Sequence, residues 1–267
     1  MTSYENYTLL KDNLIKCGKI AVAFSGGVDS TFLLKTAHDI LGDNAIAITA
    51  KSSLFPHREY EDTIHFCKRE NIKQYFIEPN QLEFEEFVSN SKDRCYICKM
   101  VFFSEMKELA KKAGDYILTE GSNIDDLRDY RPGLRAIEVL NIISPLRDAG
   151  LTKSQIRDLS KEIGLSSWDK PSYACLATRN PYGDKVTEDK LKRVEFAEEY
   201  FHGLGFVQSR VRIHGLLARI ELPEAELTKI FTKNIREEII SKFKNIGFSY
   251  VSLDIEGYRT GSMNEVL

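Results

Sequence analysis

Lys19-Ile20-Ala21-Val22-Ala23-Phe24-Ser25-Gly26-Gly27-Val28-Asp29-Ser30-Thr31-Phe32-Leu33-Leu34 reads as a strand, a glycine loop and a helix in immediate succession. Ile20 to Phe24 is a short apolar run of the kind that suits a strand buried on both faces of a parallel sheet. Thr31 to Leu41 carries Phe32, Leu33, Ala37, Ile40 and Leu41 at helical spacing, which gives one apolar face. Between them, Gly26 and Gly27 let the backbone turn sharply and aim several N–H groups at one point. That point is a helix N-terminus, where unpaired N–H groups and the macrodipole favour an anion. Ser25 and Ser30 add hydroxyl donors. No Gly-Lys-Ser/Thr follows, so this is not the nucleotide loop that places a lysine on the terminal phosphates.

The chain continues the alternation. Ala45–Ala50 and Lys73–Ile77 read as strands, with a helix from about Arg58 to Glu70 between them. Val101, Phe102, Met106, Leu109 and Ala110 mark a helix over 95–113, and Tyr116-Ile117-Leu118 a fourth strand. Such alternation predicts an α/β fold, a doubly wound parallel sheet with helices on both faces. Ligands on these sheets sit at the carboxyl ends of the strands, where Ser25, Ala50 and Gly121 fall. Further on, Thr152 and Gln155 form a capping box for a helix ending near Gly164.

From Gly164 the composition changes. Residues 168–183 are a linker dense in proline and polar side chains. Beyond it come a helix from Thr187 to about Leu204, strands over 207–214 and 216–222, two short helices and a last strand over 248–254. The expected organisation is a first domain over 1–170, and a linker with a smaller C-terminal α+β domain over 171–267.

The totals set bounds. A chain of 267 residues can bury a substantial core. Its net charge of -3 gives no global attraction to nucleic acid, so no nucleic-acid partner is expected. No apolar run is long enough to span a bilayer, and the N-terminus lacks the basic start and apolar stretch of a secretory signal. A cytoplasmic, membrane-free protein is the expectation. Cys17, Cys67, Cys95, Cys98 and Cys175 are odd in number and irregularly spaced, which does not suit a disulfide framework.

Cys175 lies in the polar linker between Lys170 and Arg179, and nearby cations stabilise a thiolate. A packing cysteine would be expected on an apolar periodic face. Arg210 and Arg212 alternate along one strand and so share a face, close to His214, which by itself also suits a solvated basic strand. Glu195, Glu198 and Glu199 share a helical face that could bind a metal, though a plain exposed face is the expectation. Cys95 and Cys98 could be half a zinc site, a redox pair or packing residues.

Ser-Gly-Gly-Val-Asp-Ser after a strand resembles the signature of the PP-loop ATP pyrophosphatases. The resemblance implies that Ser25, Gly26, Gly27, Val28, Asp29 and Ser30 hold the pyrophosphate end of ATP, and that Asp29 helps hold Mg2+. It implies the adenine edge at Ala50 and Lys51. Gly121-Ser122-Asn123-Ile124-Asp125-Asp126 is similar to a Gly-Ser/Thr-Asn-x-x-Asp loop of such enzymes, with Gly121 beside the nucleotide and Asp125 toward metal or substrate; a capping and turn cluster reads equally well. Asp129 to Arg135 brings two arginines into a loop. Pro145-Leu146-Arg147-Asp148 suggests Arg147 near the phosphates or in a structural role.

The segments Trp168-Asp169-Lys170-Pro171-Ser172-x-Ala174-Cys175-Leu176-Ala177-x-Arg179-x-Pro181-Tyr182-Gly183, Val211–Gly215, Ala218–Glu221 and Gly257–Asn264 resemble the LarE family. These are ATP-dependent sacrificial sulfur transferases of nickel-pincer nucleotide synthesis, serving lactate racemase. The resemblance spans about 19–264. It implies adenylation of a carboxylate of pyridinium-3,5-biscarboxylic acid mononucleotide, attack by Cys175, and elimination that leaves a thiocarboxylate on the substrate and dehydroalanine in the chain. Arg179, Arg210 and Arg212 then become candidates for the substrate phosphate, and a homo-oligomer, hexameric by family habit, is expected. No cysteine follows Cys175, which favours the sacrificial route over an iron–sulfur cluster held by Cys95, Cys98 and Cys175. The competing functions are another PP-loop enzyme, either a tRNA thiolation enzyme or an amidating synthetase, and an ATP-binding protein without chemistry.

Overall fold

A computed structural model describes residues 2–128, 132–171, 174–259 and 261–265. In chain order its elements are α1 (Ser3–Cys17), β1 (Ile20–Ala23), α2 (Val28–Leu41), β2 (Ala45–Ala50), α3 (His57–Arg69), β3 (Gln74–Ile77), α4 (Glu85–Val88), α5 (Arg94–Gly114), β4 (Ile117–Thr119), α6 (Pro132–Val139), α7 (Pro145–Asp148), α8 (Lys153–Glu162), α9 (Glu188–Gly203), β5 (Arg210–His214), β6 (Leu217–Glu221), α10 (Glu224–Leu227), α11 (Lys233–Ile246) and β7 (Tyr250–Leu253). They fall into two compact units. One comprises Met1–Gln81 and Lys92–Tyr173, the other Leu82–Ser91 and Ala174–Leu267.

The first unit is built on a parallel sheet in the order β3-β2-β1-β4. Thr119 adds a parallel bridge to Ile143 beyond β4. Strand alternation sorts the apolar residues between the two faces. Ile20, Val22 and Phe24 pack with Ala45 and Ala47 against Leu10 and Leu14 of α1, Phe32 and Leu33 of α2, and Ile156 and Leu159 of α8. On the other face α5 packs on the sheet through Phe102, Phe103, Met106 and Ala110. The α/β sheet with helices on both faces is therefore present. The helix after the glycine loop begins at Val28 rather than Thr31, so Asp29 and Ser30 belong to its first turn.

In the second unit β5 and β6 form an antiparallel hairpin and β7 runs parallel to β6. Phe201 of α9 meets Phe206 and Phe243 edge-on at 5.2 and 5.7 Å between ring centroids, giving this unit a core of its own. The excursion Leu82–Ser91 joins it through Asn90, whose side-chain N–H groups donate to the carbonyls of Pro181 (2.6 Å) and Asp184 (2.9 Å). Gly183 N–H donates back to Asn90 O, and Val186 N–H to Val88 O. The chain leaving the linker is thus clamped by a segment some ninety positions earlier.

Candidate functional site

The loop between β1 and α2 has the properties of an anion cradle. Gly26 takes φ +72°, which L side chains rarely adopt, and a Cβ there would crowd Thr63 at 3.1 Å. Gly27 is the N-cap of α2 and supplies no side-chain cap. The first helical bond runs from Thr31 N–H to Gly27 O, so the N–H groups of Val28, Asp29 and Ser30 precede the ladder. The Ser25 and Ser30 hydroxyls lie 3.2 Å apart. Gly121, at the end of β4, comes so close that a Cβ would sit 3.1 Å from Ser30 N.

Asp29 shares its carboxylate with Lys153 Nζ and, at 3.5 Å, with Asn123 Nδ2. Burial pushes its pKa up, Lys153 and Asn123 pull it down, and neighbouring Asp126 adds to the rise; the net shift is upward. The remaining residues of this corner are engaged as caps. Asp125 Oδ2 accepts Lys153 N–H at 2.8 Å, and Asp126 Oδ2 accepts Asn123 N–H at 2.9 Å. Asp125 therefore caps α8 alongside the Thr152–Gln155 capping box. Arg147 N–H donates to Ser122 O, and its guanidinium lies 3.5 Å from Asp148. Ala50 ends β2, and Lys51 pairs with Glu78 at 3.1 Å in solvent.

Lys170, which precedes Cys175 in the linker, is engaged within the first unit. It is committed to Glu59 (2.7 Å), to Asp62 (2.9 Å) and to the carbonyl of Gly26 (3.3 Å). Burial works against its charge, but the two carboxylates outweigh that and raise its pKa. It braces the glycine loop from behind.

In the second unit Cys175 is half-buried and caps a single 3-10 turn, Leu176–Arg179. Its Sγ accepts Ala177 N–H at 3.3 Å, and its carbonyl accepts the Thr178 hydroxyl at 2.7 Å and Thr178 N–H at 3.0 Å. Arg179 folds under this turn and is 0% exposed. Its Nη1 donates to Ala174 O, Cys175 O and Thr178 Oγ1, while Nε and Nη2 meet the two oxygens of Glu198 at 2.8 and 2.9 Å. As a direct phosphate contact Arg179 does not fit this arrangement, since its guanidinium faces inward. The exposed acidic face expected on α9 needs the same correction, because Glu198 is turned into the unit.

Arg210 and Arg212 share a face of β5, opposite Glu221 and Arg219 of β6, but both are buried, at 2% and 5% exposure. Arg212 is held bidentately by Glu221 at 3.0 and 2.8 Å and donates to Thr178 O and Ser262 Oγ. The solvated-strand alternative is thereby excluded. Arg210 donates to Ser209 O and lies 5.2 Å from the centre of the Tyr258 ring. Burial and the charge of Arg179 lower its pKa despite Glu198, so the unit itself disfavours this charge. Burial, then Arg219 and Arg212, lower the pKa of His214, next on the same face.

Cys95 and Cys98 sit half-buried in the first two turns of α5. Beside them Arg135 stacks on Tyr96 at 3.8 Å and reaches Asp93 at 3.3 Å. Among the described residues no group of three or more His, Cys, Asp or Glu is disposed to hold a metal. A single carboxylate such as Asp29 suits Mg2+ shared with phosphate oxygens and water. Arg131 of the expected arginine loop, Ser172 and Tyr173 of the linker and Thr260 of the C-terminal motif lie outside the described residues. Also among the described residues, no helix is long and apolar enough to cross a membrane.

Sequence reasoning missed Lys153, Asn90 and the Glu198 pairing. Lys153 could have been noticed as a cation opening a helix, where anions are favoured.

No protein-family model matches the chain. An uncharacterised protein of Synechocystis is 41% identical over 246 residues, 92% of each chain. The pyridinium-3,5-bisthiocarboxylic acid mononucleotide synthase of Lactiplantibacillus plantarum is 36% identical over 250 residues, 93% of this chain and 90% of that protein. A component of the glutamine-hydrolysing GMP synthase of Thermococcus kodakarensis is 28% identical over 160 residues, 55% of this chain and 52% of its own.

Proposed function

This chain belongs to the LarE family, the pyridinium-3,5-bisthiocarboxylic acid mononucleotide synthases, and from that premise we propose that it is an ATP-dependent sulfur transferase that consumes its own Cys175. The observation that carries the reading is the 36% identity to that synthase across 93% of the chain. The partial match to the GMP synthase component supports the nucleotide-using loop as shared machinery.

The first unit activates the substrate. A carboxylate oxygen of pyridinium-3,5-biscarboxylic acid mononucleotide attacks the α-phosphorus of ATP, and pyrophosphate leaves. The N–H groups opening α2, with Ser25 and Ser30, hold that pyrophosphate by charge-assisted hydrogen bonds. Asp29 would hold Mg2+, whose chemistry there would be to neutralise phosphate charge. The Cys175 thiolate then adds to the activated carbonyl and expels AMP, forming a thioester. Loss of the Cα proton of residue 175 sends its electron pair into a Cα–Cβ double bond, and the Cβ–S bond breaks with sulfur keeping its pair. The substrate leaves as a thiocarboxylate and the chain keeps dehydroalanine. A bisthiocarboxylate needs two sulfur atoms, hence two chains.

The second unit supplies the rest. Arg179 fixes the carbonyls of Ala174 and Cys175, so it positions the nucleophile rather than touching phosphate. Arg210 is a charge that its surroundings disfavour, which is the condition in which an incoming phosphate dianion is most welcome. We read the enzyme as cytoplasmic and homo-oligomeric, in keeping with five cysteines outside any disulfide and with its family. Intact-mass analysis before and after one turnover tests the proposal. The chain should become lighter by one hydrogen sulfide, with dehydroalanine mapped to position 175. Sustained turnover with Cys175 unchanged would refute the sacrificial route.

A further inference from the structure

Lys153 is the first residue of α8, at the end of a helix where a cation is opposed by the macrodipole. Its backbone is nonetheless firmly placed. Thr152 and Gln155 close a capping box around it, and its own N–H donates to Asp125. Its side chain reaches across to Asp29, in the first turn of α2, and the two groups keep 29% and 23% of their side-chain surface exposed. Two helix N-termini thus meet at one corner, and both favour an anion there. Among the described residues, the ammonium bonded to Asp29 comes from the residue that helix electrostatics would least choose. A local rule broken at a ligand-binding corner points to function.

We propose that Lys153 is a stand-in cation. It neutralises Asp29 while the nucleotide site is empty, surrenders that carboxylate to the divalent metal, and carries its ammonium on to the polyphosphate. The idea rests on the ATP-site reading above and extends it to a residue that neither the loop motif nor the relatives' names assign. The exchange keeps a cation on Asp29 throughout, so a partly buried carboxylate is never left without a counter-charge. The four-carbon stem of lysine lets the charge move while the backbone stays capped.

The test separates metal binding from nucleotide binding, and needs no turnover. Mn2+ alone, as a paramagnetic substitute for Mg2+, is titrated into wild type and Lys153→Met at pH 8, with free Mn2+ followed by electron paramagnetic resonance. ATP in excess EDTA is titrated by calorimetry. Removing the competing ammonium should tighten Mn2+ by roughly ten-fold, and removing a charge-assisted phosphate contact should weaken metal-free ATP by roughly ten-fold. Lys153→Gln should shift both affinities in the same opposite directions, and it keeps the test available should the methionine variant fail to fold. Asp29→Asn should erase the Mn2+ gain. Affinities that move together, or do not move, would overturn the role of Lys153 while leaving the ATP site standing. A folded wild type that binds neither probe would take both proposals with it.

Discussion

Arg179 grips Glu198 with both ends of its guanidinium, Nε to Oε1 at 2.8 Å and Nη2 to Oε2 at 2.9 Å, while its remaining nitrogen holds the carbonyl of Cys175. One buried ion pair therefore joins the helix α9 to the turn that presents the sulfur. Glu198 also accepts Val211 N–H at 3.0 Å, which ties β5 to the same point.

Breaking this pair from one side strands a buried charge. Glu198→Ala should lower unfolding stability by about 3–5 kcal/mol, read from urea melts. Burial raises the pKa of Glu198, but Arg179, Arg210 and Val211 N–H outweigh it, so its folded value lies below the ordinary 4.5. Stability from such a group is complete above the unfolded pKa and is lost as pH falls through the folded one. The gap between wild type and Glu198→Gln should accordingly be widest above about pH 5 and close in stronger acid. A gap that widened on acidification would contradict the pairing.

Two arginines on one strand should behave differently. Arg212→Met removes the bidentate partner of fully buried Glu221, leaving it Arg219 at 3.1 Å and the Ser262 hydroxyl, and should cost up to about 3 kcal/mol. Arg210→Met removes a charge that burial and Arg179 already disfavour, and should cost clearly less. In binding, Arg210→Met should weaken the mononucleotide by about ten-fold or more and leave ATP unchanged. Equal losses for both ligands would place Arg210 outside the substrate site.

Cys175→Ser should separate the two half-reactions. The variant should release pyrophosphate in a single turnover, because the loop and Asp29 are untouched. It should form no thiocarboxylate, since an oxygen nucleophile can at best return an ester. Thiocarboxylate from the serine variant would remove Cys175 from the mechanism.

The cysteines should also sort by reagent. Burial pushes the Cys67 thiol up to about 12, and its side chain is inside the sheet-facing core. Iodoacetamide at pH 8 should leave Cys67 unmodified in the folded protein and label the half-buried Cys175. Peptide mapping after a short exposure reads this directly, and early labelling of Cys67 would show that the core opens.

What could be read from the chain alone was whatever depends on near neighbours. The Ile20–Phe24 run, the double glycine and the apolar stripe of α2 specify strand, cradle and helix within a few turns of chain, because periodicity and backbone freedom are local properties. The Thr152–Gln155 capping box is legible for the same reason, and so is the shared face of Arg210 and Arg212. Where those side chains find their partners is not local. Glu198 looks like one more carboxylate on an exposed helical face until Arg179, 19 positions earlier, turns beneath it. Arg179 and Arg212 look like phosphate ligands until their guanidinium groups are seen saturated by Glu198, Glu221 and main-chain carbonyls. Lys153 meets Asp29 across 124 positions, and Asn90 clamps Pro181 across 91. A charged side chain advertises its charge in the sequence, but desolvation and pairing decide whether that charge is offered to a ligand, and only the packed structure sets those.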